Sequence, residues 1–444
     1  MMSAYLRAGL AALTACLLAP FTPLAAQEVL FTNVRVFDGT ADTLSAPTTV
    51  VVRGNVIAAI GPDAAPAAPE ATVIDGTGQT LMPGLIDNHV HMMFNSLSPA
   101  EMAAPDMSLE KVMALSAAQS RAMLLRGFTA VRDVGGPSFE LKRLIDSGKV
   151  IGPRIWPSGP MISQTSGHAD LRHPSEPSRR FSGKMSKAEE IWASVVADGR
   201  DEVLTAVREN LKRGASQIKI AAGGGTSSEY DPLDVTQYTL DEMKAAVDAA
   251  SDWNTYVTVH AYHPKSVRRA IDAGVKVIEH GNLLDEDTLR LMAKKGIWLS
   301  GQMLVDSTEA MDPKRREKRK PVIEGQKIVW PMAKRLGVKL AWGTDFLFEP
   351  DLNAQQNAYI LRLKPYFTPA ELLKLVTSGN AELLALSGPR TPYEGRLGVV
   401  EPGALADLIL VRGDPLADID LIGDPARNFT VIMKDGVIVK SAAE

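Results

Sequence analysis

The amino-acid sequence predicts an α/β protein: a (β/α)8 TIM barrel with a small β-sandwich module built from both chain ends. Two observations lead to this prediction. Between residues 85 and 388, helical segments that end at glycine are repeatedly followed by short apolar strands. Both ends of the chain instead carry alternating β-branched residues broken by Gly, Asp and Pro. Eight strand-helix units over about 300 residues are typical of a barrel.

Residues 1–26 have the pattern of a secretory signal peptide, which predicts a secreted or periplasmic protein. Arg7 precedes the apolar stretch AGLAALTACLLAPF, and the small residues of PLAAQ follow, so we expect cleavage after Ala26. The segment LTAC resembles a lipoprotein box at Cys16, but the apolar run continues past it, which favours plain export. The run is too short to span a bilayer, and no later segment is long enough, so no stable membrane span is expected. The mature chain would then contain no cysteine and could use no thiolate nucleophile.

The β-module is predicted from residues 27–84 together with residues 389–444. The first range contains VLFTNVRVFDG, TTVVVRGNVIAAIG and TVIDGTGQTLMPG, and the second contains ADLILVRGDP and FTVIMKDGVIVK. Period-two alternation between turn residues predicts strands in each segment. Two β-rich ends most simply pair into one module beside the central domain.

Residues 85–388 are predicted to form the barrel. Its first helix should begin after Ser108, a favourable N-cap, and stop at Gly127. Eight strands are expected, in the segments LIDNHVH, GFTAVRDV, PRIWPSG, ASQIKIAA, TYVTVHAY, VKVIEHG, IWLSGQM and VKLAWGTD.

Composition and charge exclude some classes of partner. The 444 residues are 45% hydrophobic, enough for one large core and a smaller one, and the formal net charge of -4 offers no field that attracts phosphate backbones. Nucleic acid is therefore not expected as a partner. The basic run KRREKRK at 314–320 is interpreted as a solvated helical face.

Polar side chains gather where the predicted strands end. His89 and His91 lie two residues apart on one strand and so point to the same side. The later strands carry Lys219, His260, His280 and Asp345. Because barrel active sites form where strands end, we expect all six side chains to converge at one mouth.

Each of these residues alone has an ordinary structural explanation. A single histidine at a strand end is commonly hydrogen-bonded locally, and an aspartate after Gly-Thr is commonly a turn or cap residue. Lys219 is harder to explain, because a buried ammonium group without an anionic neighbour is costly. The joint pattern favours a metal site, since imidazole and carboxylate ligands satisfy one another around a cation.

With these motifs the chain resembles the metal-dependent amidohydrolase superfamily over essentially its whole mature length. The segment PGLIDNHVH at 83–91 is similar to the HxH signature, and GTD at 343–345 is similar to the eighth-strand aspartate motif. The segments VTVHAY and VIEHG resemble the histidine motifs of the branch that contains Xaa-Pro dipeptidases, imidazolonepropionase-like proteins and ochratoxin-hydrolysing amidohydrolases.

The resemblance implies a role for each residue. Lys219 would be carboxylated and would bridge two zinc ions; His89 and His91 would bind one ion and His260 and His280 the other. Asp345 would touch the first ion and act as the proton acceptor and donor.

Two further roles carry over, Tyr262 polarising the substrate carbonyl and His168 contacting the substrate carboxylate. The alternatives are an aromatic cover of the barrel rim and a loop histidine held by nearby hydroxyls. His173 and His263, which precede prolines in loops, are expected outside the site.

The predicted function is hydrolysis of an amide or peptide bond next to a carboxylate-bearing amino acid, in a dipeptide, an Xaa-Pro-like substrate or an N-acyl amino acid such as ochratoxin. A cyclic amide or imidazolone hydrolase and a non-catalytic metal- or ligand-binding barrel remain alternatives. A carbohydrate-active barrel would need two catalytic carboxylates, for which only Asp345, Asp133 and Glu279 are available. The resemblance further suggests a homo-oligomer. Glycines 223–225 are expected to leave room for substrate, and residues 169–187 to form a lid.

Overall fold

The computed structural model describes residues 28–66, 70–98, 101, 104, 106–228, 230–304 and 311–441. The predicted signal peptide, residues 1–26 with Cys16, lies outside the described residues. Of the helices in the described part, none combines the length and apolar composition that crossing a bilayer requires.

Eighteen strands are assigned within the described ranges. They are β1 Glu28–Val36, β2 Thr48–Arg53, β3 Val56–Gly61, β4 Thr72–Asp75, β5 Gln79–Pro83, β6 Leu85–Val90, β7 Phe128–Asp133, β8 Arg154–Pro157, β9 Met161–Ser163, β10 Ser194–Val196, β11 Ile218–Ala221, β12 Val257–Ala261, β13 Val277–His280, β14 Trp298–Gly301, β15 Lys339–Trp342, β16 Leu408–Arg412, β17 Phe429–Lys434 and β18 Val437–Ser441.

Helices follow most of the strands from β6 to β15 and continue beyond β15. The α-helices are Leu109–Leu125, Phe139–Asp146, Arg179–Ser182, Lys187–Glu190, Arg200–Lys212, Leu240–Asp252, Pro264–Ala273, Glu286–Lys295, Pro313–Arg335, Gln356–Leu361, Pro369–Lys374, Asn380–Leu384 and Pro425–Asn428. Shorter helical turns of other types are Pro350–Gln355, Leu375–Gly379, Ala385–Arg390 and Ile419–Gly423.

The helix boundaries follow local side-chain chemistry. The Ser108 hydroxyl accepts from the Lys111 backbone N–H and begins the helix Leu109–Leu125, as predicted, and Gly127 follows with a φ of +91°. Thr239 and Glu242 form a capping box that begins Leu240–Asp252.

The central strands form two parallel sheets. One has three strands in the order β6-β7-β8, and the other has seven in the order β10-β9-β11-β12-β13-β14-β15. Backbone hydrogen bonds join them at two places: Ser216 N donates to Pro157 O at 2.8 Å, and Asp345 N donates to His89 O at 2.8 Å. Apolar side chains of the strands and helices fill large buried clusters.

All eight predicted central strands are present, but the third differs from the prediction. The chain pairs with β7 as β8, leaves the ladder over residues 158–160, and resumes as β9 beside β11. Pro157 and Pro160 lack the N–H that a continuous ladder needs, and Gly159 has a φ of +75°. The short strand β10 on the far side of β9 was not predicted.

The two chain ends contribute to one eight-stranded sheet. Its order is β18-β17-β16-β5-β1-β2-β3, with β4 pairing to β1. Strand β5, from the N-terminal part, pairs antiparallel with β16 from the C-terminal part. The buried Arg154 at the start of β8 joins this sheet to the central strands, since its guanidinium donates to Asp407 at 2.8 and 3.2 Å and to Asp435 at 2.7 Å.

The basic run 314–320 lies in the helix Pro313–Arg335, but the expectation of a wholly solvated face is wrong. Arg319 is only 3% exposed, and the Lys318 ammonium is bonded to three backbone carbonyls of another segment. A run of like charges in the sequence does not reveal which of its side chains contact a distant segment of the chain.

Candidate metal centre

The six residues predicted at the strand ends line one cavity. His89 lies in β6, Lys219 in β11 and His260 in β12, while His280 ends β13. His91 and Asp345 follow β6 and β15 closely. All six face this cavity together with His168.

The Asp345 carboxylate lies close to three of the histidines. Its Oδ1 lies 3.2 Å from Nε2 of both His89 and His91, and its Oδ2 lies 3.8 Å from Nδ1 of His280. Burial would raise the pKa of this carboxyl, but the charge and hydrogen bond of His89 and the other histidines hold the pKa well below its usual range. Ligand atoms of His89, His280 and Asp345 lie within 4.8 Å of one another, a spacing that one ion can span.

Hydrogen bonds outside the cluster fix the orientation of each ring. His89 Nδ1 donates to Glu279 at 2.8 Å, and His91 Nδ1 donates to the Gly135 carbonyl at 3.1 Å, which leaves both Nε2 atoms facing Asp345. His280 Nδ1 donates to Gln302 Oε1 at 2.6 Å.

His260 is held in the opposite sense, since its Nε2 donates to the Gly224 carbonyl at 3.2 Å. In each of the four rings one nitrogen is engaged outside the cluster, so the other nitrogen can serve as a metal ligand, an arrangement common around protein-bound ions.

Two members of the cluster have a backbone conformation that is rare for residues other than glycine. His280 has a φ of +73° and Asp345 a φ of +54°. In a regular strand the adjacent residues Glu279 and His280 would point to opposite faces, yet both are buried beside His89. The left-handed turn at His280 accounts for this, and such strain is concentrated at functional sites.

A buried ionic network surrounds Lys219. Glu279 accepts from Arg132 Nη2 at 2.6 Å and from the Thr258 hydroxyl, and neither Arg132 nor Glu279 is exposed. Among the described residues, no carboxylate oxygen lies within the 4.0 Å ion-pair distance of Lys219 Nζ. Burial lowers the pKa of Lys219 to about 8, which brings the neutral amine within reach near neutral pH.

These observations agree with a bound metal ion. Four oriented imidazoles, one ionised carboxylate and one weakly basic amine form a donor set that suits a divalent cation with nitrogen and oxygen ligands.

Tyr262 and His168 both lie against the cluster. The Tyr262 ring stacks on His280 with centroids 4.9 Å apart, and burial raises the pKa of its phenol, so the hydroxyl stays protonated. The His168 ring stacks on His260 at 3.7 Å, and its Nδ1 lies 2.7 Å from Ser228 Oγ and 3.0 Å from Asp231 Oδ2.

The expectation that glycines 223–225 leave room for substrate is wrong. A Cβ at Gly224 would lie 1.8 Å from the Pro232 carbonyl, and a Cβ at Gly225 would lie 2.1 Å from the His168 ring. Gly225 is therefore required for close packing against His168, and Gly224 for close packing against the backbone at Pro232. The remaining cavity wall is largely apolar and includes Phe94, Met161, Leu171, Leu347 and Phe348.

His173 and His263 lie outside this cavity, as expected. His173 Nδ1 is bonded to Ser175 Oγ at 2.7 Å, and His263 caps the helix Pro264–Ala273.

Sequence reasoning missed the residues that support the cluster. Glu279 was considered only as an acid of a carbohydrate-active enzyme, and Arg132, Gln302 and Asp231 were not considered. A signal was available for two of them, because a charged residue inside an apolar strand, as in VRD and VIEHG, needs a buried partner.

Comparison with known proteins places these features in context. The sequence profile of the Amidohydrolase family matches residues 80–440. The ochratoxinase of Aspergillus niger is 30% identical over 375 residues, which cover 81% of this chain and 75% of that protein.

Two solved structures superpose on most of the molecule. A prolidase complexed with N-methylphosphonate-L-proline is 32% identical with a TM-score of 0.84, covering 94% of this chain and all of the other. A Xaa-Pro dipeptidase with methionine bound in its active site is 29% identical with a TM-score of 0.80 and the same coverage.

Proposed function

The chain belongs to the amidohydrolase family and is a hydrolase that acts on C–N bonds, and from that premise we propose that it cleaves amides whose leaving group is an amino acid with a free carboxylate. Dipeptides, Xaa-Pro-like peptides and N-acyl amino acids such as ochratoxin meet this description. The relatives that support the choice are an ochratoxinase, a prolidase and a Xaa-Pro dipeptidase. The observation that carries it is the Asp345 carboxylate, shared by His89 and His91 at 3.2 Å inside a buried cavity.

The proposed cofactor is a pair of zinc ions. His89, His91 and Asp345 would hold one ion, His260 and His280 the other, and Lys219, carboxylated at its amine, would bridge them. When bound, zinc supplies a Lewis acid for the amide carbonyl and acidifies water. The lowered pKa of Lys219 supports this assignment, because only the neutral amine can add to carbon dioxide.

The protein's own groups then have distinct tasks. Asp345, ionised in the resting site, accepts a proton from the attacking water and returns it to the departing amine. The Tyr262 hydroxyl donates to the carbonyl oxygen as negative charge develops there. His168, whose Nδ1 is engaged by Ser228 and Asp231, presents Nε2 to the substrate carboxylate.

We also propose that the two parallel sheets form one closed barrel over residues 85–388, and that residues 27–84 and 389–444 form a β-sandwich. The hydrogen bonds that join the sheets, and the irregular register of β1 between Phe31 and Val34, support these assignments.

Export through the signal peptide at 1–26 and a homo-oligomeric state are further proposals. Phe181, which is 90% exposed, is a candidate contact between copies.

The deciding experiment measures metal content and hydrolysis on the same purified protein. Dipeptides and N-acyl amino acids would be supplied both as free acids and as carboxyl amides. We expect about two zinc ions per chain and a kcat/KM at least about tenfold higher for the free acids, because only they offer an anion to His168. Equal rates for both forms would contradict the proposal and favour a cyclic amide hydrolase.

Replacing Asp345 tests its role directly. Asp345→Asn should retain zinc and lose at least about a hundredfold in kcat, the usual scale for a general base. Asp248→Asn, at an exposed aspartate paired with Arg200, is the matched control and should leave kcat unchanged. Unchanged hydrolysis by Asp345→Asn would refute the assignment.

A further inference from the structure

One segment touches three of the residues assigned to the reaction. It comprises residues 223–228 and 230–231, which follow β11, and we call it the glycine loop. Its Gly224 carbonyl accepts from His260 Nε2 at 3.2 Å, and its Thr226 side chain is hydrogen-bonded to the Tyr262 hydroxyl.

The same loop also holds His168. Ser228 Oγ and Asp231 Oδ2 lie 2.7 and 3.0 Å from His168 Nδ1, and Asp231 Oδ2 accepts from the Gly225 N–H at 2.7 Å. The position of this loop therefore sets the position of His168.

The glycine loop is in turn fixed by a lysine from a distant helix. Lys318 lies in Pro313–Arg335, and its Nζ donates to the carbonyls of Gly225 at 3.1 Å, Ser228 at 2.7 Å and Asp231 at 2.8 Å. An ammonium group has three N–H donors, and here each has its own backbone acceptor. The Lys318 side chain is 18% exposed, so water cannot readily replace these bonds.

The geometry also explains why this lysine differs from its neighbours in the basic run. Within the described ranges, Lys320 pairs only with the exposed Glu317 on the same helix, at 2.7 Å. Lys318 instead lies 3.6 Å from Asp231 Oδ1, so its charge faces the carboxylate whose other oxygen holds His168.

We propose that Lys318 is a positioning residue, which holds the glycine loop so that Asp231 and Ser228 aim His168 at the substrate carboxylate. The expected effect of Lys318 on substrate binding rests on the proposed function, but its effect on the position of the glycine loop does not. The cavity lining includes Ser228 but not Lys318, so Lys318 acts only through the loop.

Hydrogen-deuterium exchange tests the structural part without any substrate. Lys318→Met keeps the aliphatic stem and removes the three donors, so exchange at the Gly225 amide should accelerate at least about fivefold. Lys320→Met is the matched control, on the same helix, and should leave exchange there unchanged. Equal protection of the glycine loop in wild type and Lys318→Met would overturn the proposal.

Kinetics test the consequence for His168. With a free-acid substrate, Lys318→Met should raise KM about tenfold with little change in kcat, and with the carboxyl-amide substrate it should change neither. In a His168→Ala background, Lys318→Met should have no further effect, because both changes remove the same interaction. The positioning role would be overturned if the effects of the two substitutions on KM multiplied in the double variant, or if Lys318→Met impaired hydrolysis of both substrates equally.

The two proposals can fail separately. Wild-type protein that hydrolyses none of the amides would refute the proposed function, and the exchange measurement would still decide whether Lys318 holds the loop.

Discussion

Glu279 links the stability of the central domain to the metal affinity of the candidate site, so Glu279→Gln is an informative perturbation. The carboxylate is fully buried and accepts from Arg132 at 2.6 Å and from His89 at 2.8 Å. Burial alone would raise the pKa of Glu279, but Arg132 and His89 outweigh this effect and hold the pKa well below its usual range. Glutamine has nearly the same shape but no charge. The variant therefore leaves the Arg132 guanidinium buried without a counter-ion.

The expected magnitude follows from this geometry. Removing one partner of a buried ion pair costs about 3–5 kcal/mol of unfolding free energy. The substitution also disturbs His89. In wild type, His89 Nδ1 donates to a carboxylate oxygen of Glu279, whereas the glutamine –NH2 group that replaces one of the two oxygens is itself a donor. If the amide faces Nδ1, the ring proton moves to Nε2, the nitrogen that faces Asp345. Loss of such an outer partner lowers metal affinity about 10- to 100-fold.

Two measurements separate the effects. Urea unfolding of the metal-free protein reports the stability, and competition with a chelator reports the zinc affinity. Arg132→Met combined with Glu279→Leu should recover most of the stability, because no unpaired charge remains, but should not recover the affinity. Glu317→Gln, at an exposed pair with Lys320, is the control and should change unfolding by less than about 1 kcal/mol. Unfolding free energy and zinc affinity that both stay at wild-type values in Glu279→Gln would refute this reasoning.

Two other predictions concern pH. With a pKa of about 8, about a tenth of Lys219 is neutral at pH 7, and the neutral fraction rises with pH. At a fixed concentration of dissolved carbon dioxide, zinc uptake by the metal-free protein should therefore accelerate nearly tenfold from pH 6 to pH 7 and level off above pH 8. Lys219→Met should abolish this pH dependence. A pH-independent rate of zinc uptake in wild type would contradict the prediction. Burial raises the pKa of Asp133 to about 6, so ionising it destabilises the folded state, and its contribution to stability is lost as pH rises from about 4 to about 6. Metal-free Asp133→Asn should gain at most about 3 kcal/mol over wild type above pH 6 and nothing near pH 4, measured by urea unfolding; a gain that does not vary with pH would exclude this origin.

The eight central strands, and the grouping of the candidate residues at their ends, could be predicted because both depend on local pattern. Glycine ends several of the helices, as Gly274 and Gly296 do. Residues two apart on a strand share a face, so His89 and His91 could be paired from spacing alone. Their convergence with Asp345 followed from the rule that barrel strands end at one mouth.

What could not be predicted depends on contacts between distant segments. The inward turn of His280 beside Glu279 needs a positive φ that strand alternation does not reveal. The break between β8 and β9 could have been inferred from Pro157 and Pro160, but the strand that takes up the pairing could not. In the sequence Lys318 cannot be distinguished from the other basic residues of its run. Its three acceptors are carbonyls of the glycine loop, which is distant in the sequence.

The sheet shared by the two chain ends affects how the molecule can be made. Strand β5 is synthesised early but pairs with β16, and the Thr80 hydroxyl donates to the Gly413 carbonyl across 333 residues of chain. One edge of β5 therefore stays open until β16 has been synthesised, and an open edge is a template for aggregation. The nascent chain must be kept from self-association at this edge until β16 is available to pair with β5.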